Sequence, residues 1–487
     1  MRALARHKHG REVCVTGKRC CTEAICAGVR RQPQARAARK WARTFTRLTS
    51  MWGLLLCLLP ASGPAAAQGL LDVYRLARDN DPKWRAANFE FQANSEAVAQ
   101  ARAALFPTIV FDYGHTDTEQ KILQSNNPIF ATGASRYPTD TQILTITQPI
   151  FRAAAWVKLS QAKSVVKQAA AANAAAEQDL MLRVSTAYLG VLAARDGTAL
   201  AGAEKEAIGR QLELASSRLD RGLGTITGLY DARARHSVAQ AREIEARNKF
   251  DDASQALREI TGRVIDGLRP LKADIPLVRP EPPRVDEWLV TAENQNLRLE
   301  SRRQGVAVAS QEVQRHRAGH VPSVNLVGTN NYTRAGGTVF GGGSQTETTN
   351  LALTLSVPIF EGGATSSLAR EAAYRHQKSK EDLEAERRGL ERQTRAAFQG
   401  VTSGAGLVAA LGQTVQAQEK ALEAKEEGRR AGLYTLLPVL DATRDLYAAK
   451  RDYAQARYDY LTNRLKLREA AGTLSEQDLV AVNGLLE

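Results

Sequence analysis

Three stretches of this chain carry residue types at spacings that chemistry could use. His316 and His320 stand four apart, which on a helix would place two imidazoles on one face, within reach of a shared metal ion. A hydrolytic zinc site would also need a glutamate directly after the first histidine. Arg317 follows instead, and Pro322 closes the helix just past His320, so the two read as surface histidines and no metal is expected. Ser160-Gln-Ala-Lys163 has the serine–lysine spacing of acyl-enzymes, yet it sits inside a long helical pattern and has no Lys-Thr-Gly partner. Gly336, Gly337, Gly341, Gly342 and Gly343 crowd one loop without the Gly-Lys-Ser/Thr ending that would cradle a phosphate. No acid/base pair, nucleophile or ligand set survives, so the chain is expected to be no enzyme and to carry no cofactor.

The charge balance excludes a further class. The net charge of +14 suggests nucleic acid, but residues 1–67 hold thirteen Lys and Arg against two Glu. The remaining residues hold 53 basic against 50 acidic side chains, so no nucleic-acid partner is expected. Residues 1–67 themselves read as a secretory signal peptide with an over-extended N-terminus. Met51 to Leu59 is an apolar core too short to span a membrane, preceded by Arg39, Lys40, Arg43 and Arg47, and followed by Ala65-Ala66-Ala67 before Gln68. Cys14, Cys20, Cys21, Cys26 and Cys57 all precede that cleavage site. A metal site in the first four is therefore rejected, and Leu56 in front of Cys57 argues against a lipid anchor.

The elements that must position any site follow from proline and from self-similarity. Of sixteen prolines none falls between Pro149 and Pro270, nor between Pro358 and Pro438, and these Ala-, Leu-, Glu-, Arg- and Gln-rich runs predict helices. Shifted by about 210 residues, the chain matches itself. Leu144-Thr-Ile-Thr-Gln-Pro-Ile-Phe151 aligns with Leu353-Thr-Leu-Ser-Val-Pro-Ile-Phe360, and Leu257-Arg-Glu-Ile-Thr-Gly262 with Leu467-Arg-Glu-Ala-Ala-Gly472. Two repeats, 68–269 and 285–487, flank a proline-rich connector at 270–284. Each is expected to run helix, hairpin (107–151 and 322–360), long helix, turn, helix. The second repeat ends in a C-terminal segment. Residues 152–219 form a helix on the order of 100 Å at ~1.5 Å per residue, paired with another near 363–428. Rods of that length pack as a coiled-coil-like tube rather than a globule.

The strands supply the functional reading. Each is about ten residues, long enough to cross a bilayer when tilted, and Leu351, Leu353 and Leu355 alternate with Ala352, Thr354 and Ser356. Strands in lipid must close into a barrel, and four cannot. Several chains must then share one. The competing reading is a periplasmic coiled-coil scaffold or adhesin whose hairpins lie on a soluble rod.

With its repeated helix–hairpin–helix unit and Pro-Ile-Phe endings, the chain resembles the TolC family of outer-membrane exporters. The runs Ala431-Gly-Leu-Tyr-Thr-Leu-Leu-Pro-Val-Leu-Asp-Ala442 and Gly472-Thr-Leu-Ser-Glu-Gln-Asp-Leu479 strengthen the likeness, which extends from about Gly69 to the C-terminus. The resemblance implies a mixed, mainly α fold: a homotrimeric twelve-stranded β-barrel in outer-membrane lipid, continued by a long periplasmic α-helical barrel. It also implies a periplasmic adaptor and an inner-membrane ABC or proton-driven transporter as partners. The work implied is type I protein secretion, with a haemolysin- or cyclolysin-type toxin as cargo; the alternative within the family is an efflux duct for small toxic compounds.

The same resemblance assigns the periplasmic gate. Asp441 matches an acidic position that rings the aperture, where three copies would repel one another, attract cations and titrate above an ordinary aspartate. Asp231 is its counterpart in the first repeat. The family's second acidic position is Pro438 here. Its latch joins an Arg and a Tyr of this turn to an Asp in the first repeat, and those places hold Tyr434, Arg429 and Gly228. The acidic acceptor is missing, so a looser or differently latched gate is expected.

Overall fold

The proline-free runs become the two rods that organise the molecule. The computed structural model describes residues 67–124, 126, 133–337 and 342–487. The leader up to residue 66, its five cysteines and the glycine-rich loop at Gly341 lie outside the described residues. In chain order, α1 (Leu70–Asn80), α2 (Pro82–Ser95) and α3 (Ala97–Ala103) lead to a hairpin of β1 (Thr108–Ile122) and β2 (Gly133–Phe151). Helices α4 (Ala153–Asp220) and α5 (Ile226–Thr261) complete the first half. The second half runs α6 (Val285–Gln295), α7 (Leu297–Arg317), β3 (Ser323–Ala335), β4 (Ser344–Ser356), α8 (Ala364–Arg430), α9 (Leu436–Ala470) and α10 (Glu476–Asn483).

Helices α4 and α8, of 68 and 67 residues, each span about 100 Å at ~1.5 Å per residue. Against α4 pack α2 and α7 on the strand side and α5 and α9 toward the far end. Alanines at 155, 162, 171, 175 and 201 are buried along α4, and their short side chains let neighbouring axes approach closely. Midway along the rods the shorter helices stop. Helix α5 ends at Gly262 with φ 75°, and α9 is followed by Gly472 with φ 74°. A Cβ on Gly472 would collide with the Gln295 carbonyl oxygen, so the left-handed turn and the close approach both require glycine.

The main hydrophobic core fills this middle zone: Leu70, Tyr74, Tyr188, Trp288, Tyr460 and Leu479 join α1, α4, α6, α9 and α10. Tyr188 donates its hydroxyl to the Gln68 carbonyl at 3.0 Å and the Arg269 carbonyl at 3.1 Å, tying both ends of the first repeat to α4. Each such buried side chain contributes about 1.5–3 kcal/mol, so this belt anchors the rods in register.

The four strands form one antiparallel sheet in the order β1-β2-β3-β4. Strands β2 and β3 pair directly although α4 to α7 lie between them in sequence, so the halves join edge to edge. Strands β1 and β2, at 15 and 19 residues, are longer than the expected ten, because the hairpin continues past the part that lipid would cover. The Pro-Ile-Phe endings differ from expectation. In β2 the stretch Pro149 to Phe151 stays paired to β3 through a register shift, whereas β4 stops at Ser356, before Pro358. Pro358 has no N–H to give a ladder, and among the described residues β4 has a partner on one side only.

Candidate functional site

The sheet has two chemically opposed faces. Residues opposite one another in register share a face. On one, β1 contributes Ile109, Phe111 and Tyr113, and β2 places Ile146, Leu144 and Gln142 beside them. Leu326 and Tyr332 of β3, with Leu351, Leu353 and Leu355 of β4, continue it. Leu351 is 78% exposed and Leu353 70%. Farther from the helices the same face turns charged, with His115 and Asp117 on β1, Arg334 on β3 and Glu347 on β4. An apolar band, then tyrosines, then charges is the order of hydrocarbon, interface and water.

The other face carries hydroxyls and amides. Thr141, Thr145 and Thr147 of β2 stand beside Thr329, Asn331 and Thr333 of β3, with Thr348, Asn350 and Thr354 on β4. Such a face suits water. Strands β1 and β4 are both edges, each with one neighbour among the described residues, so the sheet presents two open ladders for further copies.

At the opposite end of the rods the two interhelix turns come together. Ala232 and Leu440 are fully buried, packed with Ile208 of α4. Asp441 accepts a hydrogen bond from Arg235 Nη2 of α5 at 2.7 Å, and Arg444 Nη1 approaches to 3.6 Å. Asp231 is exposed on the first turns of α5. Gly228 donates its N–H to the Thr225 hydroxyl at 3.2 Å, serving the helix start. Pro438 is the third residue of α9, a place whose N–H would have no helical acceptor. Tyr434 lies over bare Gly428, where a Cβ would clash with its ring, so it packs on its own turn. Arg429 has a buried Nε without a partner. Burial first, and then the charge of Arg218, push it below the ordinary arginine value against the pull of Glu426. Arg429 thus lies in the repulsive field of Arg218, and the place that the resemblance assigns to the acidic acceptor holds Gly228.

Higher along the rods two further polar ties cross between the halves. Glu204 of α4, 1% exposed, accepts from Arg242 of α5 at 2.8 Å and Arg451 of α9 at 2.5 Å. Tyr458 of α9 donates to Asp196 of α4 at 2.6 Å. Burial and that carboxylate raise the tyrosine hydroxyl above its usual value. None of these residues was singled out in sequence. A partial signal exists for Arg235: the repeat offset that pairs Asp231 with Asp441 pairs Arg235 with Asp445, an inverted charge at matched places.

The two chemical motifs of the sequence are engaged otherwise. His316 Nε2 is 3.0 Å from Glu312, while His320 is exposed in the short turn Ala318–His320. Ser160 accepts from Gln311 at 3.1 Å on the exposed side of the contact between α4 and α7. Among the described residues no group of three or more His, Cys, Asp and Glu could hold a metal.

A sheet with a lipid face, a water face and two open edges, set on rods about 100 Å long, defines one protomer of an outer-membrane channel with a periplasmic extension. The chain belongs to the outer membrane efflux protein family, whose family model matches residues 73–263 and 288–473. It is 34% identical to the outer membrane protein TolC of Vibrio cholerae over 86% of this chain and 94% of that one. It is 32% identical to the proteases secretion protein PrtF of Dickeya chrysanthemi, over 88% and 93% respectively. Among solved structures, VceC from Vibrio cholerae shares the fold with a TM-score of 0.70 at 19% identity, over 83% of this chain and 96% of that one.

Proposed function

We propose that three copies of this chain close a twelve-stranded barrel and a continuous helical tunnel, forming the exit duct of a tripartite secretion complex. The observation that carries this is the two-faced sheet with open edges: four strands cannot close alone, and an open ladder in hydrocarbon costs several kcal/mol per unpaired group. The duct takes its cargo from an inner-membrane transporter joined through a periplasmic adaptor, and does no chemistry on it. Secreted protein is the favoured cargo class, supported by the likeness to a protease secretion protein that covers most of both chains. Purified protein in detergent should run as a heat-modifiable trimer and conduct ions in planar bilayers. A stable monomer in plain buffer that passes no current would sink the duct and leave the scaffold reading.

The gate in this proposal lies at the turn end. Arg235 and Asp441 tie α5 to α9 in place of the tie that Gly228 cannot make. Asp441 is therefore half of a pair inside each protomer, and rings the entrance with free charge only when that pair parts. Opening is a shear of α5 past α9. Replacing Asp441 with Asn should loosen closure and weaken cation selectivity together. An unchanged reversal potential with unchanged conductance removes Asp441 from both roles.

A further inference from the structure

The water face of the sheet is nearly free of charge, and the exception is placed where it counts. From Thr108 to Gln120 on β1, and along its registered partners on β2, β3 and β4, this face carries one ionisable carboxylate or cation, Asp112. Asp112 pairs in register with Ile143, which pairs with Asn331, which pairs with Thr348. Its chain neighbours Phe111 and Tyr113 point to the opposite face and belong to the apolar band. Asp112 thus stands at hydrocarbon depth, a position where an aspartate is tolerated only if it faces water. The residues linking the strands, 123–132 and 336–343, contain no Asp, Glu, Lys or Arg, so the loops add no charge of their own.

We infer that Asp112 is a selectivity residue of the barrel: three copies form an acidic ring in an otherwise neutral, hydroxyl-lined lumen, favouring cations and cationic segments of cargo. This rests on the duct reading. Its reach follows from geometry. Twelve strands about 4.8 Å apart and tilted by about 40° give a backbone radius of about 12 Å, which leaves the carboxylates about 8–9 Å from the axis. That distance matches the Debye length of about 8–10 Å at 0.1–0.15 M salt, so the ring's field reaches the axis there; at 1 M the length is about 3 Å and it does not. Three charges screened in this way enrich cations at the axis by about threefold. The nearest cation toward the helices is Arg152, whose Nη2 meets Asn325 Oδ1 at 3.3 Å. Asn325 is six residues along β3 from Asn331, about 20 Å at the usual rise, so the two charges act on separate stretches of the lumen.

The test is reversal-potential measurement on trimers in planar bilayers under a salt gradient near 0.1 M. Asp112→Asn should lower the cation-to-anion permeability ratio by about threefold, and Asp112→Lys should invert the preference. Arg152→Gln should move the ratio the opposite way, toward cations. All variants should converge with wild type near 1 M salt, where the field is screened. The Asp112 effect should persist in an Asp441→Asn background, because the two sites lie at opposite ends of the rods and act independently. A wild-type ratio in Asp112→Asn, from channels that conduct normally, overturns the inference alone. A wild type that passes no current takes down the duct, and this inference with it.

Discussion

On the water face of the sheet a single carboxylate, Asp112, stands in a neutral surface, whereas in the helical rods carboxylates such as Glu204 and Asp441 come already matched to arginines. The strands need no ion pairs to choose their partners. Their backbone bonds are compulsory in hydrocarbon, and the period of two sorts lipid-facing from water-facing residues. The rods have water on their outer surface and many alternative ways for Ala-rich seams to slide. Polar ties such as Glu204 with Arg242 and Arg451 fix which turn of one helix meets which turn of another. One end is built for closure and the other for a change of register.

The largest expected effect is on the sheet. Leu353→Arg puts a cation on the lipid face and should cost about 2–4 kcal/mol, read as loss of the heat-modifiable trimer. Thr354→Arg, one residue on, faces water and should leave assembly intact while altering conductance. Equal damage from both would erase the distinction between the faces.

In the rods, Glu204→Ala leaves two arginines facing each other without their shared acceptor. It should lower stability by about 2–3 kcal/mol, seen as a shift in the denaturant midpoint of the helical signal. A shift no larger than that of an exposed-site control would show that the tie does not hold the halves.

The pH response should split by burial. Hydrogen bonds from Arg315 pull Glu312 down to about 2, against partial burial and with help from Gln161 and His316. A lowered folded value means that its contribution is present above the unfolded value near 4.5 and is lost as pH falls toward 2. Glu469 is the reverse: burial raises it, with Arg298 opposing, so protonation favours the fold at low pH and that contribution fades as pH rises. Glu312→Gln should cost about 1–2 kcal/mol at neutral pH and make the acid-side loss shallower. Glu469→Gln should give a small gain at neutral pH. Parallel pH profiles for the two variants would contradict the assignment.

The smallest stability change belongs to the turn end. Arg235 and Asp441 are each about a third exposed, so either substitution should cost less than about 1 kcal/mol. The informative readout is conductance, which should rise in Arg235→Gln and in Asp441→Asn. The double variant should add little, as expected of two halves of one tie.

Much of this could be read from the residue string. The proline-free runs and the offset of about 210 mark the rods and the doubling, because helix continuity and repeat identity are local properties. Leu351, Leu353 and Leu355 show the lipid face of β4 by alternation alone. The turn residues Gly228, Arg429, Tyr434 and Pro438 also stand out in sequence, through the resemblance rather than through any pattern of their own. What tertiary structure alone decided is which charges meet. Asp441 finds Arg235 across 206 positions and Glu204 finds Arg451 across 247, while Arg429 is buried without a partner for its Nε. Helical periodicity fixes the face a side chain occupies, but the axial stagger between two rods is set by the buried belt around Tyr188 and Tyr460, and that stagger selects the partner. For the same reason Asp112 was silent in sequence: one aspartate in a strand becomes a ring of charge only when register places every neighbour on its face and every one of them is neutral.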